Sequence, residues 1–212
     1  MRLFACAACR SAWDWMADDR ARAAVEASER FADDHASVHA LNSTRAAIPA
    51  SLRGDNDRRL DLGWLAAAPQ ARIQDGAARI IAILSDRLIG QRLGCTLWSR
   101  PYQTREQLAA WRAARPEAYR TFCGLMRDVF LHPFRQDPFR AGRRPPIIAS
   151  LARAAYEERL LPSGHLDLAR LAVLSDALEE AGCTDTAILS HLRSPGPDVR
   201  GCWALDHVLG EA

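Results

Sequence analysis

The stretch from Leu166 to Gly210 reads LDLARLAVLSDALEEAGCTDTAILSHLRSPGPDVRGCWALDHVLG, and its pattern decides the fold class. Leu171, Leu174 and Leu178 recur every three or four residues, which predicts one apolar face of an α-helix. Gly182 follows this run, where a left-handed helix cap favours a residue without a Cβ atom. The stretch therefore begins with a helix of about three turns.

The second half of the same stretch predicts two more short helices. Thr184 is a candidate cap for a helix that carries Ile188 and Leu192. The Ser-Pro-Gly-Pro turn stops this helix, because proline has no amide hydrogen to donate. Asp198 is then predicted to cap a third helix, which ends at Gly210. Three short helices joined by tight turns form a helical unit.

The rest of the chain shows the same periodicity. An apolar stripe that includes Cys6 and Cys9 predicts a helix over residues 2–16, and the most regular helix begins near Ile73 and stops at Gly94. No stretch alternates with the two-residue period of a strand. The sequence predicts an all-α protein, a compact bundle of roughly eight to ten short helices without significant sheet.

Local signals predict where several of these helices start. Asp18 is a candidate cap for the second helix. Thr104 and Gln107 fit a capping box at the start of a later helix, and Pro116 suits the first turn of the one after it.

A segment rich in proline and arginine, HPFRQDPFRAGRRPP, occupies residues 132–146 and is the strongest linker candidate. It predicts a helical body over 1–131 and a helical C-terminal unit over 147–212. Residues 161–212 carry eight acids against three arginines, whereas the other residues carry 25 arginines against 18 acids. This charge asymmetry favours packing of the acidic unit on the basic body as one globular domain.

Composition excludes several kinds of protein. The 212 residues are 49% apolar and 25% charged, which is typical of a globular chain. No apolar run is long enough for a membrane span, and the N-terminus lacks the pattern of a signal peptide, so a cytoplasmic location without membrane binding is predicted. All 28 basic residues are arginine. Without lysine, Schiff-base and P-loop chemistry are excluded.

The cysteines and histidines suggest a metal site as one hypothesis. Cys6 and Cys9 have the CxxC spacing that lets two thiolates face one zinc ion. His191 and Cys202 are the best remote partners, with Cys183 and His207 in reserve. The alternative is that these cysteines serve as small apolar core residues, because those on clear helices lie on apolar faces. Disulfides are less favoured in a chain expected to be cytoplasmic, and enzymatic thiol chemistry is less favoured because no strand precedes the CxxC motif.

Residues 132–146 suggest a second kind of site. Arginines can pair with phosphates, and exposed phenylalanines can stack on bases. The alternative is a solvated loop that its phenylalanines anchor to the core. The candidate contacts with nucleic acid or a partner are Phe134, Arg135, Phe139, Arg140, Arg143 and Arg144.

Three segments resemble a family of uncharacterised planctomycete-type proteins associated with a short helical module, the repeat-companion domain. They are RLFACAACRSAW from Arg2, LMRDVFLHPFR from Leu125, and the run from Ser175 to Gly210. Together they cover under half of the chain. The family has no established activity, so the resemblance implies identity more than function. Its members carry a histidine before the VRGCW run, where this chain has Asp198, so no role of that histidine transfers here.

These observations favour a non-enzymatic helical adaptor that binds a protein partner, because helices are well specified and catalytic motifs are missing. No cofactor is required by that interpretation. The first alternative is a zinc-bound helical protein, structural or hydrolytic, that uses Cys6, Cys9, His191 and Cys202. The second is nucleic-acid binding through residues 132–146. The sequence specifies neither the partner nor the oligomeric state.

Overall fold

Ten α-helices make up the described part of the protein in this computed structural model, which covers residues 1–50, 58–94, 104–130 and 145–210. Within these ranges there is no strand, and the β-type pairing consists of isolated bridges from His165 to Leu160 and to Val199. The prediction of an all-α bundle with roughly eight to ten helices is confirmed. None of the helices in these ranges combines the length and the apolar character that crossing a membrane requires.

The chain forms two compact units, Met1–Gly124 and Leu125–Ala212. The sequence analysis placed the boundary a little later, at the segment 132–146. Residues 132–144 of that segment lie outside the described ranges, and Pro145 and Pro146 start the first helix after it. One helix begins in the first unit, and its last residues belong to the second.

The first unit is built on close helix packing. One close approach involves Gly63, where an added Cβ atom would lie 2.3 Å from the carbonyl oxygen of Ala21. A side chain at position 63 would therefore force two backbones apart. The helices of this unit are α1 (Arg2–Arg10), α2 (Asp19–Ala32), α3 (Val38–Ala46), α4 (Arg58–Ala66) and α5 (Ile73–Leu93), followed by α6 (Arg105–Phe130), which continues into the second unit.

A buried ion pair joins α1 to α2. Arg10 Nε donates to Glu29 Oε1 at 2.9 Å, and a terminal guanidinium nitrogen donates to Oε2 at 2.8 Å. The two side chains are 4% and 6% exposed. The parallel hydrogen bonds have the forked geometry that arginine and carboxylate groups favour. Trp13 adds to this arrangement, because its ring lies 4.2 Å from the guanidinium carbon of Arg10.

Two helix boundaries in the first unit differ from the sequence analysis. Helix α1 ends at Arg10 rather than near residue 16, and turns follow it. Helix α6 passes through Pro116, which was expected to start a separate helix. Proline leaves the carbonyl four residues earlier without its helical donor, but Arg112 is exposed, so water can hydrate that group. The predicted stop at Gly94 is confirmed by its left-handed backbone.

The second unit has its own apolar core, formed by one face of each of its helices. Asp167 caps the second helix of this unit and Asp185 caps the third, because their side chains accept hydrogen bonds from backbone amides. The cap of the third helix is therefore Asp185 rather than the predicted Thr184. The Asp185 carboxylate accepts hydrogen bonds from two backbone amides. The helices are α7 (Pro146–Glu157), α8 (Leu168–Glu180), α9 (Thr186–Leu192) and α10 (Trp203–Leu209).

The last helix corrects the prediction for Asp198. Helix α10 begins at Trp203, with Cys202 as its N-cap residue, so Asp198 does not cap it. Asp198 is buried in the preceding loop, and its carboxylate points at His191. A carboxylate removed from water in this way must find another polar partner.

Candidate metal centre

Four side chains of the second unit converge on one point. They are Asp128 near the end of α6, His191 in the last turn of α9, Asp198 in the loop after α9, and Cys202 at the start of α10. One donor atom from each residue lies within 4.8 Å of the other three. In the part of the chain that the structure describes, this is the group of histidine, cysteine and acidic side chains that could hold an ion.

The centre of the group is the Nε2 atom of His191. It lies 3.1 Å from Asp128 Oδ1, 3.1 Å from Asp198 Oδ1 and 3.2 Å from Cys202 Sγ. An imidazole nitrogen carries at most one hydrogen, so it cannot donate well to three acceptors. Ligands on one tetrahedral zinc ion are separated by about 3.3–3.6 Å, given bonds of about 2.0–2.3 Å. The distances of 3.1–3.2 Å around His191 Nε2 lie within hydrogen-bond range and are slightly shorter than these edges, so the donor atoms would move apart by roughly a few tenths of an ångström to hold an ion.

Burial makes the negative charge of this group costly. The side chains of Asp128 and Asp198 are 3% and 1% exposed, while His191 is 20% exposed. Asp128 Oδ2 accepts the backbone amide of Val199 at 2.7 Å. Asp198 Oδ2 is buried and has no hydrogen-bond partner in the described ranges. Two buried carboxylates, one with an unsatisfied oxygen, favour a further polar or cationic partner beside the imidazole of His191.

The local sequence holds Asp198 in place. Gly196 has a φ of +74°, a left-handed conformation that glycine adopts without strain. A Cβ atom there would lie 2.9 Å from the amide nitrogen of Asp198 and 3.3 Å from its Oδ2 atom. Glycine is thus needed both for the turn and for the close approach of the carboxylate. On the other side, the rings of His191 and Trp203 pack with centroids 4.9 Å apart.

The charges of the group change its proton affinities. Burial lowers the pKa of His191, but the carboxylates of Asp128 and Asp198 outweigh it and raise the value to about 9. Burial also raises the pKa of Asp128, against the opposing hydrogen bond from His191. Burial, together with the charge of Asp128, raises the pKa of the Cys202 thiol well above its usual value. Without a metal, the group therefore holds protons on His191 and Cys202 at neutral pH.

The ligand types select a class of ion. A thiolate and an imidazole suit zinc and similar transition metals, whereas magnesium and calcium prefer all-oxygen sites.

The arrangement does not suit a cysteine nucleophile. Such a site needs the carboxylate on one ring nitrogen and the thiol on the other, but here Asp128 and Cys202 both face Nε2.

The structure brings two of the four predicted ligands together. His191 and Cys202 lie in this group, but its other members are Asp128 and Asp198 rather than Cys6 and Cys9. The CxxC cysteines belong to the first unit and are fully buried. Their sulfur atoms contact backbone carbonyls, at 3.9 Å from Val25 for Cys6 and 3.7 Å from Leu62 for Cys9.

The chemistry of Cys6 and Cys9 fits core residues. Burial, with Glu29 nearby, raises the pKa of Cys6 to about 12, and burial raises the pKa of Cys9 well above its usual range. The thiol of Cys202 shares this raised pKa, so the difference lies in the neighbours: among the described residues, the group of possible metal ligands includes Cys202 but neither Cys6 nor Cys9. The reserve candidate Cys183 is a buried core residue of the second unit, and the group around His191 includes neither it nor His207. Every described cysteine is a free thiol.

The proposed nucleic-acid contacts lie outside the described residues. This applies to Phe134, Arg135, Phe139, Arg140, Arg143 and Arg144. Their role in binding a nucleic acid or another partner stays a prediction.

Comparisons with known proteins give no relative on which to base an assignment. No protein-family model, no curated protein and no solved structure matches the chain. The function must therefore be argued from the geometry of this site.

Metal binding at this site is expected to release protons. Zinc requires a neutral imidazole and a thiolate, so about two protons leave when it binds near pH 7. Because His191 has a pKa of about 9 without metal, the affinity for zinc should increase as the pH rises toward that value. Calorimetric titrations in buffers of different ionisation enthalpy measure the proton count. A heat of binding that does not depend on the buffer would contradict the expectation.

Proposed function

We propose that the second unit is a metal-binding helical module, in which Asp128, His191, Asp198 and Cys202 hold one zinc-type ion. The observation that carries the proposal is the convergence of three acceptor atoms on His191 Nε2 at 3.1–3.2 Å. The unsatisfied, buried oxygen of Asp198 supports it independently. An ion would replace the protons on His191 and Cys202, which leaves the net charge of the group unchanged and gives both carboxylates a direct cationic partner.

The role we propose for the ion is structural. Sites with four protein ligands are closed, while catalytic zinc sites keep a position open for water or substrate. Three of the four side chains are almost completely buried, which limits access for a substrate. The ion would join the end of α6, the end of α9 and the start of α10, all within the second unit. The adaptor role predicted from the sequence is compatible with such a module and stays a prediction.

The experiment is elemental analysis and zinc titration of protein purified without a metal-binding tag. We expect about one zinc ion per chain, as a four-ligand site requires. His191→Ala should abolish high-affinity binding, and Asp198→Asn should weaken it while preserving the shape of the side chain. The double variant Cys6→Ala and Cys9→Ala should still bind one ion.

The two ligand sets give opposite outcomes. Loss of zinc in the double cysteine variant, with retention in His191→Ala, would contradict the proposal and favour the CxxC motif. A wild-type protein that binds no zinc, cobalt or cadmium would also contradict it. Circular dichroism of each variant separates loss of a ligand from loss of the helical fold.

A further inference from the structure

A buried tyrosine contacts the backbone of one proposed ligand. Tyr156 on α7 is 6% exposed, and its hydroxyl lies 3.1 Å from the carbonyl oxygen of Cys202. The same hydroxyl also lies close enough to donate to Asp206 Oδ1, one turn further along α10. Burial and the charge of Asp206 raise the pKa of Tyr156 well above its usual value, so its phenol keeps the proton that it donates.

The single phenol hydrogen is shared between these two acceptors, which both lie at the start of helix α10. The carbonyl of Cys202 accepts the amide of Asp206 at 3.0 Å, which is the first hydrogen bond of the helix. Tyr156 therefore contacts both residues that this bond joins, through the Cys202 carbonyl and the Asp206 carboxylate. A side chain leaves its backbone in a small set of directions, so fixing the backbone of Cys202 also fixes where its sulfur can lie.

We propose that Tyr156 and Asp206 form a positioning pair that holds Cys202 Sγ toward the metal bound at His191. This inference rests on the proposed metal site and assigns the residues that control its geometry. Neither residue is proposed as a ligand. The pair acts through the Cys202 backbone, whose sulfur lies 3.2 Å from His191 Nε2.

The position of the pair explains why a tyrosine is present in an otherwise apolar core. Its ring packs among the buried residues of the second unit, while its hydroxyl reaches the polar start of α10. The guanidinium carbon of Arg200 lies 5.4 Å from the ring centroid, which adds a cation–π contact on the loop just before Cys202. Residues that orient metal ligands commonly affect metal affinity by about 10–100-fold.

The test compares zinc affinity and cobalt spectra of the full-length wild type, Tyr156→Phe, Asp206→Asn and Asp206→Ala. Tyr156→Phe removes only the hydroxyl, and we expect zinc to bind about 10-fold more weakly or worse. The thiolate-to-cobalt charge-transfer band should shift or lose intensity, because the Co–S geometry changes. Asp206→Asn keeps an oxygen that can accept from Tyr156, so it should retain more affinity than Asp206→Ala.

A matched control separates positioning from stability. Ile148→Val removes one methylene from a fully buried residue on the same helix and is expected to lower stability without touching the polar groups around Cys202. It should leave zinc affinity and the cobalt spectrum unchanged. Equal losses of affinity in Tyr156→Phe and Ile148→Val would overturn the positioning role.

The outcomes distinguish the two proposals. If the wild type binds zinc and Tyr156→Phe matches it in both affinity and cobalt spectrum, the positioning inference is wrong and the metal site stands. If the wild type binds no metal ion, the proposed function and the positioning role both fail. The inference is supported if Tyr156→Phe binds zinc more weakly than Ile148→Val does, and if Asp206→Asn retains part of the wild-type affinity.

Discussion

Zinc is expected to raise the free energy of unfolding of the second unit by about 3–4 kcal/mol at free zinc concentrations of about 100–1,000 times the dissociation constant. The gain arises because the ion binds the folded arrangement of Asp128, His191, Asp198 and Cys202 more tightly than an unfolded chain. Urea unfolding with zinc and with a chelator measures the difference. Magnesium should give no comparable gain, because the site contains a thiol and an imidazole.

Two cysteines of the second unit provide a matched pair of variants for this measurement. Cys202 and Cys183 are both buried in the same apolar core, but only Cys202 lies in the group around His191. Cys202→Ala should remove the stabilisation by zinc. Cys183→Ala deletes the same atoms and should keep it. A zinc-dependent gain that survives Cys202→Ala would show that the ion binds elsewhere.

Glu29→Ala is expected to destabilise the first unit by about 3–5 kcal/mol, the usual cost of leaving one charge of a buried pair without its partner. The variant removes the carboxylate that accepts two hydrogen bonds from Arg10, and both side chains lie almost completely out of water. The change in the urea midpoint, with the slope held constant, measures the effect.

Two further variants test the cause of this effect. Glu26 is exposed on the same helix, so Glu26→Ala should change stability by less than about 0.5 kcal/mol. Replacing both members of the pair, as Arg10→Met with Glu29→Leu, removes the stranded charge and should recover part of the loss. If Glu29→Ala and Glu26→Ala were equally mild, the ion pair would not stabilise the fold.

Local signals predicted several helix boundaries correctly, although the caps predicted at Thr184 and Asp198 were wrong. Gly94 stops α5, Asp18 caps α2, and Thr104 and Gln107 exchange the two hydrogen bonds of a capping box. Each signal depends on residues within one turn of the chain, so it survives folding. The end of α1 was placed too late, because an apolar stripe can continue past a helix into buried turns.

The candidate site was only half predictable, for a physical reason. His191 and Cys202 stand out by residue type, but aspartates are common on surfaces and at helix caps. Asp128 lies 63 residues before His191, and nothing local indicates that the two meet. Asp198 was assigned to a cap because it follows a proline turn. The three-residue spacing of Cys6 and Cys9 places both on one apolar helix face, which is typical of core residues as well as of metal ligands.

The spacing of the four residues has a consequence for the order in which the unit assembles. His191, Asp198 and Cys202 lie within 12 residues of one another, so bringing them together closes only short loops, whereas Asp128 joins across 63 residues. The entropy of loop closure grows with loop length, and contacts between distant residues slow folding. The loop from α9 to α10 is therefore expected to gather three ligands early, and the end of α6 to dock last.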